Sequence, residues 1–161
     1  MDFGYPGGPK IDKLAKEGEP NIPLPKSNIE GYNFSYSGLK TAIINLYHKN
    51  PEINKADLCA SFQKVATEML TDKTFKLIEN VGTSSARPQN NKIVLAGGVS
   101  ANSYIREEFN RMGKEKGIEI YFPEMKYCTD NAAMIASAGY YNYVAGNISD
   151  LSLNAIANLK L

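Results

Sequence analysis

Two short stretches of this sequence carry the residue types that ligand chemistry needs. The first is Gly97-Gly98-Val99-Ser100-Ala101-Asn102, directly after the apolar run Lys92-Ile93-Val94-Leu95-Ala96. A glycine pair there leaves bare backbone for a ligand to approach, and a helix starting just beyond offers unpaired N–H groups. Asn102, in the first helical turn, can donate or accept hydrogen bonds toward a base or ribose. The same residues also suit a plain strand-to-helix turn in which Ser100 or Asn102 caps the helix. The second stretch is Cys128-Thr129-Asp130-Asn131, ahead of an apolar helix. Asp130 can be that helix's cap or one ligand of a divalent metal, and one carboxylate does not complete a metal site.

The remaining candidates are weaker. Ser35-Tyr36-Ser37-Gly38-Leu39-Lys40 can present hydroxyls and an ammonium to a phosphate or RNA backbone, or simply cap a helix with Ser35 or Ser37. Lys10, Lys13 and Lys16 fall every third residue and read as a wet helical face. His48, the single histidine, belongs at a solvated helix end, where an imidazolium is favoured. No Ser-His-acid or Cys-His arrangement has supporting spacing, which argues against a self-sufficient hydrolase.

Positioning these residues requires an α/β unit. Gly4-Tyr5-Pro6-Gly7-Gly8-Pro9 forms a tight turn, followed by a short helix with Ile11, Leu14 and Ala15, stopped near Gly18-Glu19-Pro20. Residues 1–31 are thus an entry turn, a short helix and a Pro-rich connection. Residues 32–81 are helical: one helix turns Leu39, Ile43 and Leu46 inward, and a second, which Asp57 begins or reinforces, does so with Leu58, Phe62, Val65 and Met69. Gly82 to Asn91 reads as a loop. Residues 92–145 then give a buried strand, the Gly-Gly turn, a helix with Ile105, Phe109 and Met112, a strand over 118–122, and a last helix capped by Thr129 or Asp130. The fold class is α/β, with a small mixed sheet and packed helices.

Composition bounds the function. With 161 residues and 43% hydrophobic content the chain forms one lobe, 1–161; a domain of this size buries roughly 70% of its unfolded surface. Lys and Arg total 18 against 17 Asp and Glu, a net charge of +1 that excludes a global nucleic-acid or membrane footprint, so any RNA contact is local. Cys59 and Cys128 lack zinc or disulfide spacing and read as reduced thiols in a cytoplasmic protein. No apolar run reaches membrane-spanning length, so no membrane partner is expected.

Taken together, Gly4-Tyr5-Pro6-Gly7-Gly8-Pro9, Phe34-Ser35-Tyr36-Ser37-Gly38-Leu39-Lys40-Thr41, Leu95-Ala96-Gly97-Gly98-Val99-Ser100-Ala101-Asn102 and Tyr127-Cys128-Thr129-Asp130-Asn131-Ala132-Ala133-Met134-Ile135-Ala136 resemble the TsaD family. These are tRNA threonylcarbamoyladenosine synthesis transferases, formerly called O-sialoglycoprotein endopeptidases. The resemblance covers this chain and about the C-terminal half of the family's length. It implies the C-terminal lobe of an actin-like ATPase (ribonuclease-H-like) fold. The implied reaction moves a threonylcarbamoyl group from its adenylate to the N6 amine of the tRNA adenosine beside the anticodon.

By the same resemblance, Gly8 and Asn102 contact the threonylcarbamoyl-AMP or ATP-like nucleotide, and Gly97 and Gly98 wall its adenosine. Asp130 is one ligand of an iron or zinc ion whose two histidine ligands, in a His-x-x-x-His helix, belong to an N-terminal lobe. Those histidines are absent here, so the chain is expected to be an inactive fragment that pairs with that lobe and with the bacterial partners TsaB and TsaE. A face left for the lobe would be apolar and prone to self-association. The alternatives are a non-catalytic nucleotide- or partner-binding module and a metalloendopeptidase; the latter lacks a His-Glu-x-x-His motif.

Overall fold

The computed structural model describes residues 3–27, 29–82 and 92–156. The chain divides between Cys128 and Thr129 into two compact units. In the first lie the helices α1 (Gly8–Ala15), α2 (Ser37–Lys49), α3 (Lys55–Gly82) and α4 (Ser103–Lys116), with the strands β1 (Lys92–Val94) and β2 (Glu119–Tyr121). The second unit carries α5 (Ala132–Val144). No described helix is long and apolar enough to cross a membrane.

The spine of the first unit is α3. Leu58, Cys59, Ser61, Gln63, Thr67, Met69, Thr71 and Phe75 are all buried along it, and α1, α2 and α4 pack against it. Of the face expected from periodicity, Leu58 and Met69 are buried, whereas Phe62 and Val65 are only partly covered. Phe75 meets Phe109 of α4 with ring centroids 5.8 Å apart, and Ile93 and Ile105 complete that core. Each such apolar side chain stabilises the fold by roughly 1.5–3 kcal/mol when fully buried.

Helix starts differ from the sequence expectation in an instructive way. Asn54, not Asp57, receives the first N–H groups of α3, from Ala56 at 2.9 Å and Asp57 at 3.3 Å. The Asp57 carboxylate is thereby left to accept the Glu19 N–H at 2.8 Å, which ties the end of the α1 segment to α3. Neither Ser35 nor Ser37 caps α2, whose cap position is held by Tyr36 without a side-chain bond. His48 stands exposed in the last turn of α2, and Lys10, Lys13 and Lys16 are exposed on α1, as expected.

The strands are shorter than the apolar runs suggest, and their pairing is parallel. Lys92, Ile93 and Val94 align with Glu119, Ile120 and Tyr121, so among the described residues the sheet is parallel rather than mixed. The crossover is the turn and α4, a βαβ unit. Only Ile93 of β1 is buried; Val94 is 72% exposed, although parallel strands are ordinarily covered on both faces. Gly82, expected in a loop, is the last residue of α3, and the rest of the Gly82 to Asn91 expectation lies outside the described residues. Gly117, in the left-handed region at φ 66°, ends α4, while Gly113 is buried inside it.

Two glycines mark where backbones approach too closely for a side chain. A Cβ on Gly18 would fall 2.2 Å from the Ala56 carbonyl carbon, and one on Gly113 would fall 2.5 Å from Ile120. Gly8 has nothing within 4 Å of that position. We therefore expect Gly18→Ala to cost about 1–3 kcal/mol in urea unfolding, as overpacking does. Gly8→Ala should stay within about 0.5 kcal/mol of the parent.

Candidate functional site

The Gly-Gly turn follows β1 and is fixed from within. Gly97 adopts φ 87° and ψ 167°, a conformation that favours glycine, and Gly98–Ala101 continue as a single 3-10 turn. Ser100 closes the turn by donating its Oγ hydrogen to the Gly97 carbonyl at 2.7 Å, with its N–H on the same oxygen at 3.0 Å. Asn102 then starts α4 as its cap, its Oδ1 accepting from the Ile105 N–H at 3.0 Å. The capping role that the sequence allowed for Asn102 is thus realised, and Ser100 acts on the turn instead.

Arg106, one turn into α4, braces this turn from behind. Its Nε donates to the Ser100 carbonyl at 2.6 Å, and its terminal nitrogen reaches the Pro123 carbonyl at 2.9 Å and the Cys128 Sγ at 3.1 Å. The guanidinium also lies 4.8 Å from the centre of the Phe122 ring. A rigid cation with several donors can hold three chain segments together in this way.

Asp12 and Gln63 were not singled out by sequence reasoning, yet they join Asn102 at the same place. Asp12, one turn on from Gly8 in α1, accepts from the Ser103 Oγ at 2.9 Å and the Ser103 N–H at 3.3 Å. Gln63 donates to the Asp12 carboxylate at 3.2 Å and accepts from the Asn102 Nδ2 at 3.2 Å. The only sequence cue for Asp12 is its position one helical turn beyond the Gly7-Gly8 turn. Gly8 is exposed at the first position of α1. The structure thus joins Asp12 of α1 to Ser103 and, through Gln63, to Asn102 at the N-terminal end of α4, directly after the Gly97-Gly98 turn.

Beside this end runs an open apolar groove of about 950 Å³ between α2, α3, β1 and α4. Phe62, Val94, Val99 and Phe109 line it, with Tyr36, Lys40, Thr74 and Ser100 among its few polar members. Burial pushes the Tyr36 hydroxyl and the Cys59 thiol, both on its wall, up from their usual pKa values. Cys59 is fully buried on α3 and belongs to its packed face.

In the second unit the cap of α5 is Asn131, whose Oδ1 accepts the Met134 N–H at 3.0 Å, and not Thr129 or Asp130. The Asp130 carboxylate has no hydrogen bond or ion pair among the described residues. No group of three His, Cys, Asp or Glu among the described residues could hold a metal. A carboxylate without an internal partner is a hard oxygen donor of the kind divalent ions take, and alone it does not make a metal site.

A parallel βαβ unit with a glycine turn leading into a capped helix is the arrangement of α/β ligand-binding proteins. The sequence model of the TsaD family, tRNA N6-adenosine threonylcarbamoyltransferase, matches residues 1–137. The chain is 52% identical to a tRNA N6-adenosine threonylcarbamoyltransferase of Clostridium perfringens (strain SM101 / Type A), with all of this chain and 48% of that protein covered. Proteins of the same name from Thermosipho africanus and Carboxydothermus hydrogenoformans are 46% and 45% identical, again over the whole chain and 48% and 47% of theirs. The chain belongs to the TsaD family, and it spans about half the length of these curated relatives.

The division of labour around Asp130 is testable. Asn131→Ala should remove the α5 cap and cost about 1 kcal/mol, read as faster amide hydrogen exchange over the first turn of Ala132–Val144. Asp130→Ala should leave that exchange unchanged.

Proposed function

We propose that this chain is the nucleotide-binding, C-terminal part of a tRNA N6-adenosine threonylcarbamoyltransferase. The observation that carries the reading is the meeting of Asp12, Gln63, Asn102 and Ser103 at the start of α4, directly after the Gly97-Gly98 turn, in a chain of this family. In this reading the two glycine stretches let an adenosine approach the backbone, and the Asp12 carboxylate accepts hydrogen bonds from ribose hydroxyls. The fold is that of an actin-like ATPase lobe.

The reaction is an acyl transfer. The N6 amine of the tRNA adenosine attacks the carbamoyl carbon of threonylcarbamoyl-AMP, the new N–C bond forms, the C–O bond to the phosphate breaks, AMP leaves and the amine loses a proton. This chain's residues bind and orient the AMP portion. Asp130 would be the residue of this chain that holds an iron or zinc ion, and such an ion would supply Lewis-acid polarisation of the acyl donor.

The apolar groove supports pairing with a further lobe. Val94 and Val99 are 72% and 69% exposed beside it, and relatives have about as much chain again. A face of this kind calls for cover. We assign it to the N-terminal lobe of the intact enzyme, which also supplies the two remaining histidine ligands. TsaB and TsaE are the protein partners in this reading, tRNA is the acceptor, and the compartment is the cytoplasm. Alone, the chain is inactive in transfer.

Co-expression with the remaining half of the Clostridium perfringens relative tests this. The assembled protein should bind one iron or zinc ion, lose it in Asp130→Ala, and threonylcarbamoylate tRNA. Metal-free assembly with AMP binding retained would favour a non-catalytic binding module instead. For the groove, light scattering should show the isolated chain self-associating at high concentration and the co-expressed pair not doing so. A clean monomer of the isolated chain counts against the groove as an interface.

A further inference from the structure

We infer that Gln63 is a positioning residue for the nucleoside end of this unit, holding Asp12 and Asn102 in one fixed hydrogen-bond order. The inference rests on the nucleotide reading above and adds a residue to it from a helix that carries none of the glycine motifs. Gln63 is 6% exposed in the middle of α3, where its neighbours Leu58, Cys59, Thr67 and Met69 form the buried spine. Burying a polar side chain there costs less when both ends of its amide are bonded.

Both ends are bonded, and in only one sense. The Ile105 N–H can only donate, so the oxygen of Asn102 must face it, at 3.0 Å. That leaves the Asn102 nitrogen to face the Gln63 oxygen at 3.2 Å. The Gln63 nitrogen must then face Asp12, which as a carboxylate can only accept, at 3.2 Å. Neither amide can flip without setting like against like. The helix start of α4 thus dictates, through α3, the orientation of a carboxylate on α1. The Ser103 N–H and Oγ hold the same carboxylate from the other side.

The consequence concerns the ribose. With Gln63 and Ser103 Oγ both on Oδ1 and only the Ser103 N–H on Oδ2, Asp12 keeps accepting capacity on Oδ2 in a fixed direction. A preset acceptor discriminates for a hydroxyl pair, whereas a loose one does not. Glutamate at position 63 would keep the bond to Asn102 and oppose an anion to Asp12; methionine would keep the shape and leave both partners unmatched.

The test compares AMP with 2′,3′-dideoxy-AMP by calorimetry on the full 161-residue chain. The parent should prefer AMP by about tenfold or more, the worth of one good hydrogen-bonded contact to a charged group. Gln63→Met should reduce that preference to about threefold or less, with Gln63→Glu doing the same if the methionine variant is poorly folded. A merely structural role would lower melting temperature or weaken both ligands equally and leave the ratio intact, and that result overturns the inference. A parent that binds AMP without preferring it also overturns it, while leaving the nucleotide reading in place. A parent that binds neither ligand sinks the nucleotide reading and this assignment with it.

Discussion

Everything in residues up to Cys128 hangs on the buried face of α3. The helix is 28 residues long, about eight turns, so it can be touched at different levels by α1, α2 and α4. Near its start the missing side chain of Gly18 lets the α1 segment close on Ala56. About a third of the way along, Gln63 links α1 to α4. Further on, Phe75 meets Phe109 and anchors α4 beneath β1. If the spine shifted, the glycine turn, Asp12 and Asn102 would lose their common reference.

That dependence explains why so small a sheet suffices. Two strands of three residues each would be marginal alone. Here the crossover helix α4 packs on α3, and Ile93 enters a core that already contains Phe75, Ile105 and Phe109. Arg106 adds a polar brace, fixing the carbonyl behind the Gly-Gly turn to the segments after β2. The site end of the unit is thus held by packing on one side and by directed hydrogen bonds on the other.

Periodicity and glycine placement made much of this legible. The short helix α1 with Pro9 in its first turn, the apolar face of α2, the pair Ile105 and Phe109, and the βαβ order followed from spacing. The caps were misread where several polar residues stood in a row. Asn54 accepts the first N–H groups of α3, with Asp57 reinforcing its first turn, and Asn131 rather than Thr129 or Asp130 holds those of α5. Short polar side chains have similar cap preferences, so position decides between them. The extent of burial on β1 was also misjudged, since an apolar run records what a strand prefers and not what covers it.

By itself the sequence determined the family, the glycine turns and the residues offered to a ligand, because these depend on side-chain type and local spacing. The tertiary structure decided that Asp12 and Gln63 belong with Asn102, which they adjoin only once α1, α3 and α4 are packed. It also decided that Asp130 is released from capping duty. Hydrogen bonds between side chains so distant in sequence leave no periodic trace in the chain. Their donors and acceptors are ordinary polar residues until the backbone brings them within about 3 Å.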